Sequence, residues 1–337
     1  MRRTAPAGSA EREERGLQHG RILSWLRRLR DHVRIPWTAG RFDRLRIADL
    51  YARPEATISF EFFPPHTAEA EATLFGETIP ALAELGPSFV SVTWGAGGST
   101  RDKTLRIVGR IIRDFGIPAV SHMTCVGSTR EQLGGALDEA WSMGIRNILA
   151  LRGDPPRGET SFKPVDGGFA HAVELVPFVK GRHPFGVGAA FYPEGHVECA
   201  DKHLDWDRAA AKVEAGADVL ISQLFYNVDD FLECQDYLRN KRGVKVPLVP
   251  GILPFLNIPQ IKKITSLCGA KMPAGLSKRL EALAHDDESV RKLCVEVCTD
   301  ICARLLRNGT PGIHLYCLNR VPSARELLQN LGLLKTR

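Results

Sequence analysis

The sequence has no uninterrupted apolar run of about 18 residues and no secretory signal, so no membrane span is expected. Its eight cysteines include no CxxC pair, which indicates reduced thiols and a cytoplasmic protein. HExxH and GxxxxGK[ST] motifs are also absent, as is any recognisable Ser-His-Asp arrangement. These absences argue against a secreted disulfide scaffold, a simple zinc hydrolase and a P-loop enzyme, and we predict no metal site.

Lysine is missing from residues 1–46, which instead contain 12 arginines against 5 acidic residues, a balance of +7. The whole chain carries +6, so the remaining residues balance at −1. A nucleic-acid partner would have to bind the amino-terminal segment, where no aromatic or glycine pattern supports one. We therefore predict no nucleic-acid binding.

We assign residues 1–46 to an amino-terminal extension and residues 47–337 to one catalytic domain. Residues 1–20 are polar and are predicted to be disordered. Residues 21–34 could form a membrane-surface helix, a transit peptide, or a helix packed on the body or exposed to solvent. We favour the last reading; its apolar residues at helical spacing are Ile22, Leu26, Leu29 and Val33.

The body alternates apolar, β-branched runs with helical patterns, and the runs begin about every 30 residues. Most runs lack polar alternation, as expected for parallel strands covered on both faces. Eight such units predict a (β/α)₈ TIM barrel, an α/β fold, with a doubly wound open sheet as the alternative. The predicted strands are Thr57–Phe63, Phe89–Thr93, Ala119–Thr124, Ile148–Leu151, Val187–Tyr192, Val219–Phe225, Val246–Ile252 and Ile313–Leu318.

Polar residues collect where these runs end. In barrel enzymes the carboxyl ends of the strands carry the chemistry, so the distribution predicts an active face there. The Arg152-Gly153-Asp154 turn could be a surface ion pair, but its position after an apolar run favours a functional role. The residues at these ends are Thr93, Trp94, His122, Thr124, Arg152, Asp154, Tyr192, Glu194, His196, Gln223, Tyr226, Asn319 and Arg320.

Glu61 stands between Phe60 and Phe62 in the first run, which ends at Pro64-Pro65. Burial disfavours a charged carboxylate, so we expect a raised pKa, as a general acid needs near neutral pH. A second motif, residues 95–100, resembles a dinucleotide fingerprint but lacks its third glycine and follows the wrong strand. We interpret it as a glycine-rich turn that makes phosphate or backbone contacts.

Eight segments in order across residues 57–334 resemble the methylenetetrahydrofolate reductase family, and eight together are highly specific. The regulatory domain of animal members has no counterpart here, and control by S-adenosylmethionine is not expected. The matching segments are SFEFFPP (59–65), FVSVTWGA (89–96), HMTC (122–125), LALRGD (149–154), YPEGH (192–196), AGAD (215–218) leading into Gln223, PGILP (250–254) and LNR (318–320).

The resemblance implies a barrel with FAD at the carboxyl ends of its strands. It implies an enzyme that interconverts 5,10-methylenetetrahydrofolate and 5-methyltetrahydrofolate, with NADH or NADPH as electron donor. Glu61 matches the general acid and Asp154 the flavin N1/C2 edge, and Gln223, Tyr316 and Arg320, with Glu61, match substrate positions. The remaining matches are FAD-binding positions: Thr93, Trp94, His122, Arg152, Gly153, Asp154, Tyr192, His196, Asp205 and Lys212.

Ile264 departs from the family pattern, because an aromatic residue that stacks on nicotinamide or folate in bacterial members aligns with it. The choice between NADH and NADPH is therefore left open. A non-catalytic barrel that binds folate or a partner protein is the alternative function, and a flavin-free lyase is a third. Whether the chain forms a homo-oligomer is left open.

Overall fold

The computed structural model describes residues 45–94, 101–155, 158–159 and 161–334. All pairings between the strands in these residues are parallel. Nearly every strand residue is buried, which explains why the strands read as continuous apolar runs. The strands are β1 (Thr57–Phe62), β2 (Phe89–Val92), β3 (Ala119–Thr124), β4 (Asn147–Leu151), β5 (Gly186–Phe191), β6 (Val219–Ser222), β7 (Leu248–Val249), β8 (Gly251–Ile252) and β9 (Gly312–Leu315).

The sheet closes into a barrel through Pro250, which separates β7 from β8. Leu248 pairs with β6, and Gly251 pairs with β9. Proline has no N–H and interrupts the ladder, so these short segments occupy one strand position of an eight-position barrel. β9 in turn pairs with β1. The (β/α)₈ prediction is confirmed, and the open doubly wound sheet is wrong because the strand order shows no reversal.

Helices follow the strands, and α10 is an additional short helix in the long interval between the last two strand positions. One π-helical turn, Leu74–Thr78, joins α2 to α3, and a second, Tyr237–Lys241, extends α8. No helix within the described ranges has the length and apolar character to span a bilayer. The helices are α1 (Ile47–Tyr51), α2 (Ala68–Thr73), α3 (Ile79–Ala83), α4 (Arg101–Phe115), α5 (Arg130–Ser142), α6 (Ala172–Arg182), α7 (Lys202–Glu214), α8 (Val228–Asp236), α9 (Ile258–Cys268), α10 (Ala274–Ala282), α11 (Asp287–Arg307) and α12 (Pro322–Asn330).

The short helix α1 covers the amino-terminal end of the barrel. Ile47 N–H donates to Asn147 Oδ1 at 2.7 Å, and Asn147 Nδ2 donates to the carbonyl of Leu45 at 3.2 Å. Leu45 and Arg46, which we assigned to the extension, therefore belong with the barrel; the rest of the predicted extension, residues 1–44, lies outside the described residues. The apolar cluster beneath α1 comprises Ile47, Leu50, Tyr51, Phe89, Val120, Leu149, Val219, Ile221 and Val249.

The seam between α1 and the barrel leaves no room for a side chain at Gly186. A Cβ there would lie 2.4 Å from Asn147 Oδ1 and 3.1 Å from Ile47 N. We expect Gly186→Ala to lower the free energy of unfolding by about 1–3 kcal/mol, since overpacking displaces the seam. Gly181→Ala in α6, with nothing within 4 Å, is the control and should be neutral or stabilising by about 0.5–1 kcal/mol. Urea unfolding measures both changes, and equal effects would contradict the packing argument.

Candidate active site

Glu61 lies near the carboxyl end of β1 and faces side chains from three other strands. Its Oε2 is 3.2 Å from His122 Nε2 on β3, without hydrogen-bond geometry, and 3.3 Å from His314 Nε2 on β9. Ser91 Oγ on β2 donates to the same oxygen at 3.4 Å. All four side chains are buried. The barrel thus assembles a buried acid between two imidazoles, which we call the Glu61 cluster.

The expected raised pKa of Glu61 is wrong for this arrangement. Burial does raise the pKa, but the nearby imidazoles of His122 and His314 lower it by more, to about 2. A carboxyl group with so low a pKa is ionised near neutral pH. Glu61 can therefore act as an acid only after it has taken up a proton.

His314 is the cluster member that the sequence analysis missed. Its Nδ1 lies 2.8 Å from Ser59 Oγ, and that hydroxyl donates to the carbonyl of Ile313 at 3.4 Å. Both ring nitrogens of His314 therefore lie within hydrogen-bond distance of a side-chain oxygen. The sequence feature that could have identified His314 as a site residue is its position inside the apolar predicted strand Ile313–Leu318.

We expect His314→Gln to weaken the stabilising contribution of ionised Glu61. Because folding lowers the pKa of Glu61, this contribution is complete above the unfolded-chain value of about 4.3 and is lost as the pH falls towards 2. Without His314 the folded pKa rises, so Glu61→Gln and His314→Gln should couple by about 0.5–3 kcal/mol at pH 7. Urea unfolding of the four proteins at pH 7 and pH 3.5 measures the coupling, which should shrink at the lower pH. Additive effects at pH 7 would contradict it.

Arg152, Gly153 and Asp154 follow β4, as predicted. Gly153 has φ +87°, and a Cβ there would lie 2.8 Å from Val126 Cγ1, so only glycine fits this turn. Arg152 donates to Glu198 through Nη1 at 2.5 Å and Nη2 at 3.0 Å. Asp154 is exposed. Glu198 is a second site residue that the sequence analysis missed, although it lies two positions beyond the predicted His196.

The loop after β5 and helix α7 bring the next predicted group together. The ring of Tyr192 packs edge-on against His196 with centroids 4.7 Å apart, and the N–H of His196 donates to buried Asp205 at 3.2 Å. Burial lowers the pKa of His196, and Arg152 lowers it further. Lys212 Nζ donates to the carbonyl of Ala190 at 2.8 Å, and burial lowers its pKa to about 8. The cations Arg152 and Lys212 and the imidazole of His196 therefore lie near one another at this end of the barrel.

Several buried polar atoms at this end have no hydrogen-bond partner among the described residues. They include Trp94 Nε1 after β2, Thr124 Oγ1 at the end of β3 and Tyr226 OH after β6. An unsatisfied buried polar group costs about 1–3 kcal/mol, so such atoms mark places where a polar ligand would be accommodated. Donors and hydroxyls here, with the cations near Tyr192, fit an anionic dinucleotide that carries a polar aromatic ring.

The remaining predicted residues lie at the same end, and among them the ring of Tyr316 packs edge-on against His314 of the Glu61 cluster with centroids 5.3 Å apart. Thr93 N–H donates to the carbonyl of Phe62 at 2.9 Å, and Gln223 Oε1 accepts from Leu224 N–H at 2.8 Å. Tyr316 OH donates to the carbonyl of Ser222 at 2.5 Å, and Arg320 is exposed. The glycine-rich turn predicted at residues 95–100 lies outside the described residues, and no cluster of potential metal ligands occurs in the rest.

A family model described as methylenetetrahydrofolate reductase matches residues 46–332. The chain belongs to the methylenetetrahydrofolate reductase family. Its resemblance to the family, first read from eight short segments, is therefore confirmed over nearly the whole described barrel.

Curated members of the methylenetetrahydrofolate reductase family include plant and bacterial relatives. "Methylenetetrahydrofolate reductase (NADH) 1" of Arabidopsis thaliana is 38% identical over 300 residues, covering 86% of this chain and 50% of the relative. "5,10-Methylenetetrahydrofolate reductase" of Salmonella typhimurium is 36% identical over 278 residues, covering 82% of this chain and 91% of the relative. The chain thus spans about half the length of the plant relatives and most of the bacterial one.

A solved structure supports the fold. An uncharacterized protein from Clostridium thermocellum, whose structure is described as binding two copies of 5-methyl-5,6,7,8-tetrahydrofolic acid, matches with a TM-score of 0.55. It is 17% identical, and the match covers 85% of this chain and 98% of that chain. At that identity the likeness shows a shared barrel fold and no more.

Proposed function

We propose that this barrel binds FAD and interconverts 5,10-methylenetetrahydrofolate and 5-methyltetrahydrofolate with a nicotinamide nucleotide as co-substrate. The observation that carries the proposal is buried Glu61 between His122 and His314, at the same end of the barrel as Arg152 and Asp154. Family membership supports the reaction class. The enzyme would serve one-carbon metabolism and methionine supply in the cytoplasm.

The predicted FAD residues support the cofactor through their chemistry. Arg152 and Lys212 are cations suited to phosphates, and Trp94 offers a buried indole N–H to a polar ring. Gly153 lets the chain approach closely where a side chain would collide with Val126. Bound flavin would supply reversible two-electron chemistry between nicotinamide and folate.

The Glu61 cluster would act on the folate. 5,10-Methylenetetrahydrofolate must open its five-membered ring to a 5-iminium cation, and protonation of N10 assists that step. Because His122 and His314 lower the pKa of Glu61, the resting carboxylate would be ionised and would take up a proton before delivering it to N10. The iminium carbon then gains two electrons and one proton as hydride and becomes the methyl group.

The other predicted residues would hold the substrate and balance its charge. Asp154 would place a negative charge near the flavin N1/C2 edge, which favours the iminium cation over an anionic reduced flavin. Gln223 would hydrogen-bond the pterin, and Tyr316 and Arg320 would contact the rest of the folate. NADH is the first donor to test, because plant relatives are named for it.

The test combines a spectrum with an assay of the purified protein. We expect flavin absorbance, bleaching of that absorbance by NADH or NADPH, and its recovery on addition of 5,10-methylenetetrahydrofolate. A protein that binds 5-methyltetrahydrofolate but shows neither flavin nor turnover would support the non-catalytic folate-binding alternative. The same preparation, passed over a size-exclusion column with light scattering, tests whether the chain forms a homo-oligomer.

A further inference from the structure

The Arg152 guanidinium already has a partner for each of its three nitrogens. Nη1 and Nη2 donate to the two oxygens of Glu198 at 2.5 and 3.0 Å, and Nε donates to the carbonyl of Gly153 at 3.3 Å. The fork of an arginine binds a carboxylate and a phosphate in the same two-pronged geometry. A cofactor phosphate that takes the same two-pronged position on this guanidinium must therefore displace Glu198.

We propose that Glu198 is a resident anion that occupies Arg152 until the phosphates of a dinucleotide replace it, which makes it a determinant of dinucleotide binding. This inference rests on the proposed function, since it takes FAD as the ligand. Glu198 would set how tightly a phosphate-bearing flavin binds and would leave the affinity for the bare ring system unchanged.

Burial explains why a resident anion is useful. The Arg152 side chain is only 20% exposed, whereas that of Glu198 is 45% exposed. A largely buried guanidinium without a partner would be costly, so Glu198 stabilises the fold before cofactor binds. Because Glu198 is the more exposed partner, it can turn towards solvent when another anion arrives.

The loop after β5 links Glu198 to the rest of the cofactor group. The N–H of Glu198 donates to His196 Nδ1 at 3.0 Å, and Gly195 in the same turn has φ +84°. Burial has the largest effect on the pKa of His196 and lowers it. Arg152 and Lys212 lower this pKa further, whereas Glu198 and Asp205 raise it. Withdrawal of Glu198 would remove one of these negative charges from beside Arg152 and so favour a pyrophosphate there.

Flavin affinity separates the proposal from a simple structural role. We expect Glu198→Gln to tighten FAD binding to the flavin-depleted protein about two- to fivefold at low salt, the factor that corresponds to opening a partly exposed ion pair. Riboflavin, which has no phosphate, should bind Glu198→Gln and the unaltered protein equally. Glu198→Asp, which keeps the charge, should stay near the unaltered affinity. Fluorescence quenching of each flavin measures these constants.

The matched control is Glu233→Gln, which removes a comparable exposed ion pair with Lys202, at 2.7 Å, outside the predicted FAD residues. It should leave both affinities unchanged. Weaker or unchanged FAD binding in Glu198→Gln would overturn the proposal, as would an equal change for riboflavin. Weaker binding would mean that Glu198 remains in place and positions Arg152.

A second measurement does not depend on flavin. Phenylglyoxal modifies free guanidinium groups, and mass spectrometry of the Arg152 peptide follows the rate at this one residue. We expect Glu198→Gln to raise that rate several-fold and Glu233→Gln to leave it unchanged; no increase would overturn the resident-anion role. If the unaltered protein binds no flavin, the proposed function fails, while the labelling experiment still decides whether Glu198 covers Arg152.

Discussion

Replacement of Glu61 by glutamine is expected to abolish most folate turnover while flavin stays bound and is still reduced by NADH or NADPH. The amide keeps the size of the side chain and one acceptor for Ser91 but cannot deliver a proton. Positioned general acids contribute about 10²–10⁴-fold to rate, so we expect a loss of that size in the folate half-reaction. The nicotinamide half-reaction needs no proton at N10 and should change little.

Stopped-flow measurement of the two half-reactions tests the assignment. The matched control is Glu77→Gln, an exposed glutamate in the π turn between α2 and α3, which should leave both half-reactions unchanged. Unchanged folate turnover in Glu61→Gln would contradict the assignment of Glu61 as the general acid. Equal losses in both half-reactions would instead indicate damage to flavin binding.

The barrel itself could be predicted because its signal is local. Each strand is short, buried on both faces and separated from the next by one helical pattern, so periodicity in the chain reports it directly. The closure at Pro250 and the position of α1 were not predictable in this way. Both depend on contacts between distant segments, such as Ile47 with Asn147 and Gly251 with His314.

The pKa of Glu61 shows why the site was predicted only in part. Phe60 and Phe62 adjoin Glu61 in sequence, but successive side chains of a strand point to opposite faces. The imidazoles that face Glu61 come from β3 and β9, and His314 lies 253 positions away. Composition near Glu61 therefore predicted desolvation correctly and missed the two imidazoles that reverse its effect.

The pairing of Arg152 with Glu198 was missed for a related reason. Glu198 is 46 positions from Arg152 and reaches it only because β4 and β5 are neighbours in the barrel. The family segments located Arg152, Tyr192 and His196, since each lies in a short motif. A partner that joins two such motifs across strands leaves no signal in either one.

Asp154→Asn is the second change with a large expected effect, because it removes a charge and preserves shape. The carboxylate is exposed, and its charge reaches Tyr192, whose pKa is raised first by burial and then by Asp154. Without the negative charge near flavin N1, reduced flavin should form more easily, so the midpoint potential should rise by a few tens of millivolts, where about 30 mV corresponds to 1.4 kcal/mol. The folate half-reaction should fall about 10²-fold, because the iminium cation loses its counter-charge.

Potentiometric titration, together with stopped-flow measurement of both half-reactions, decides the role of Asp154. The control is Asp166→Asn, another exposed carboxylate, which should move neither the potential nor the rates. A rise in potential with a slow folate step and a fast nicotinamide step requires a charge beside the flavin, and altered binding alone would not produce it. If the potential falls, or if only the nicotinamide step slows, Asp154 does not lie at the flavin N1/C2 edge.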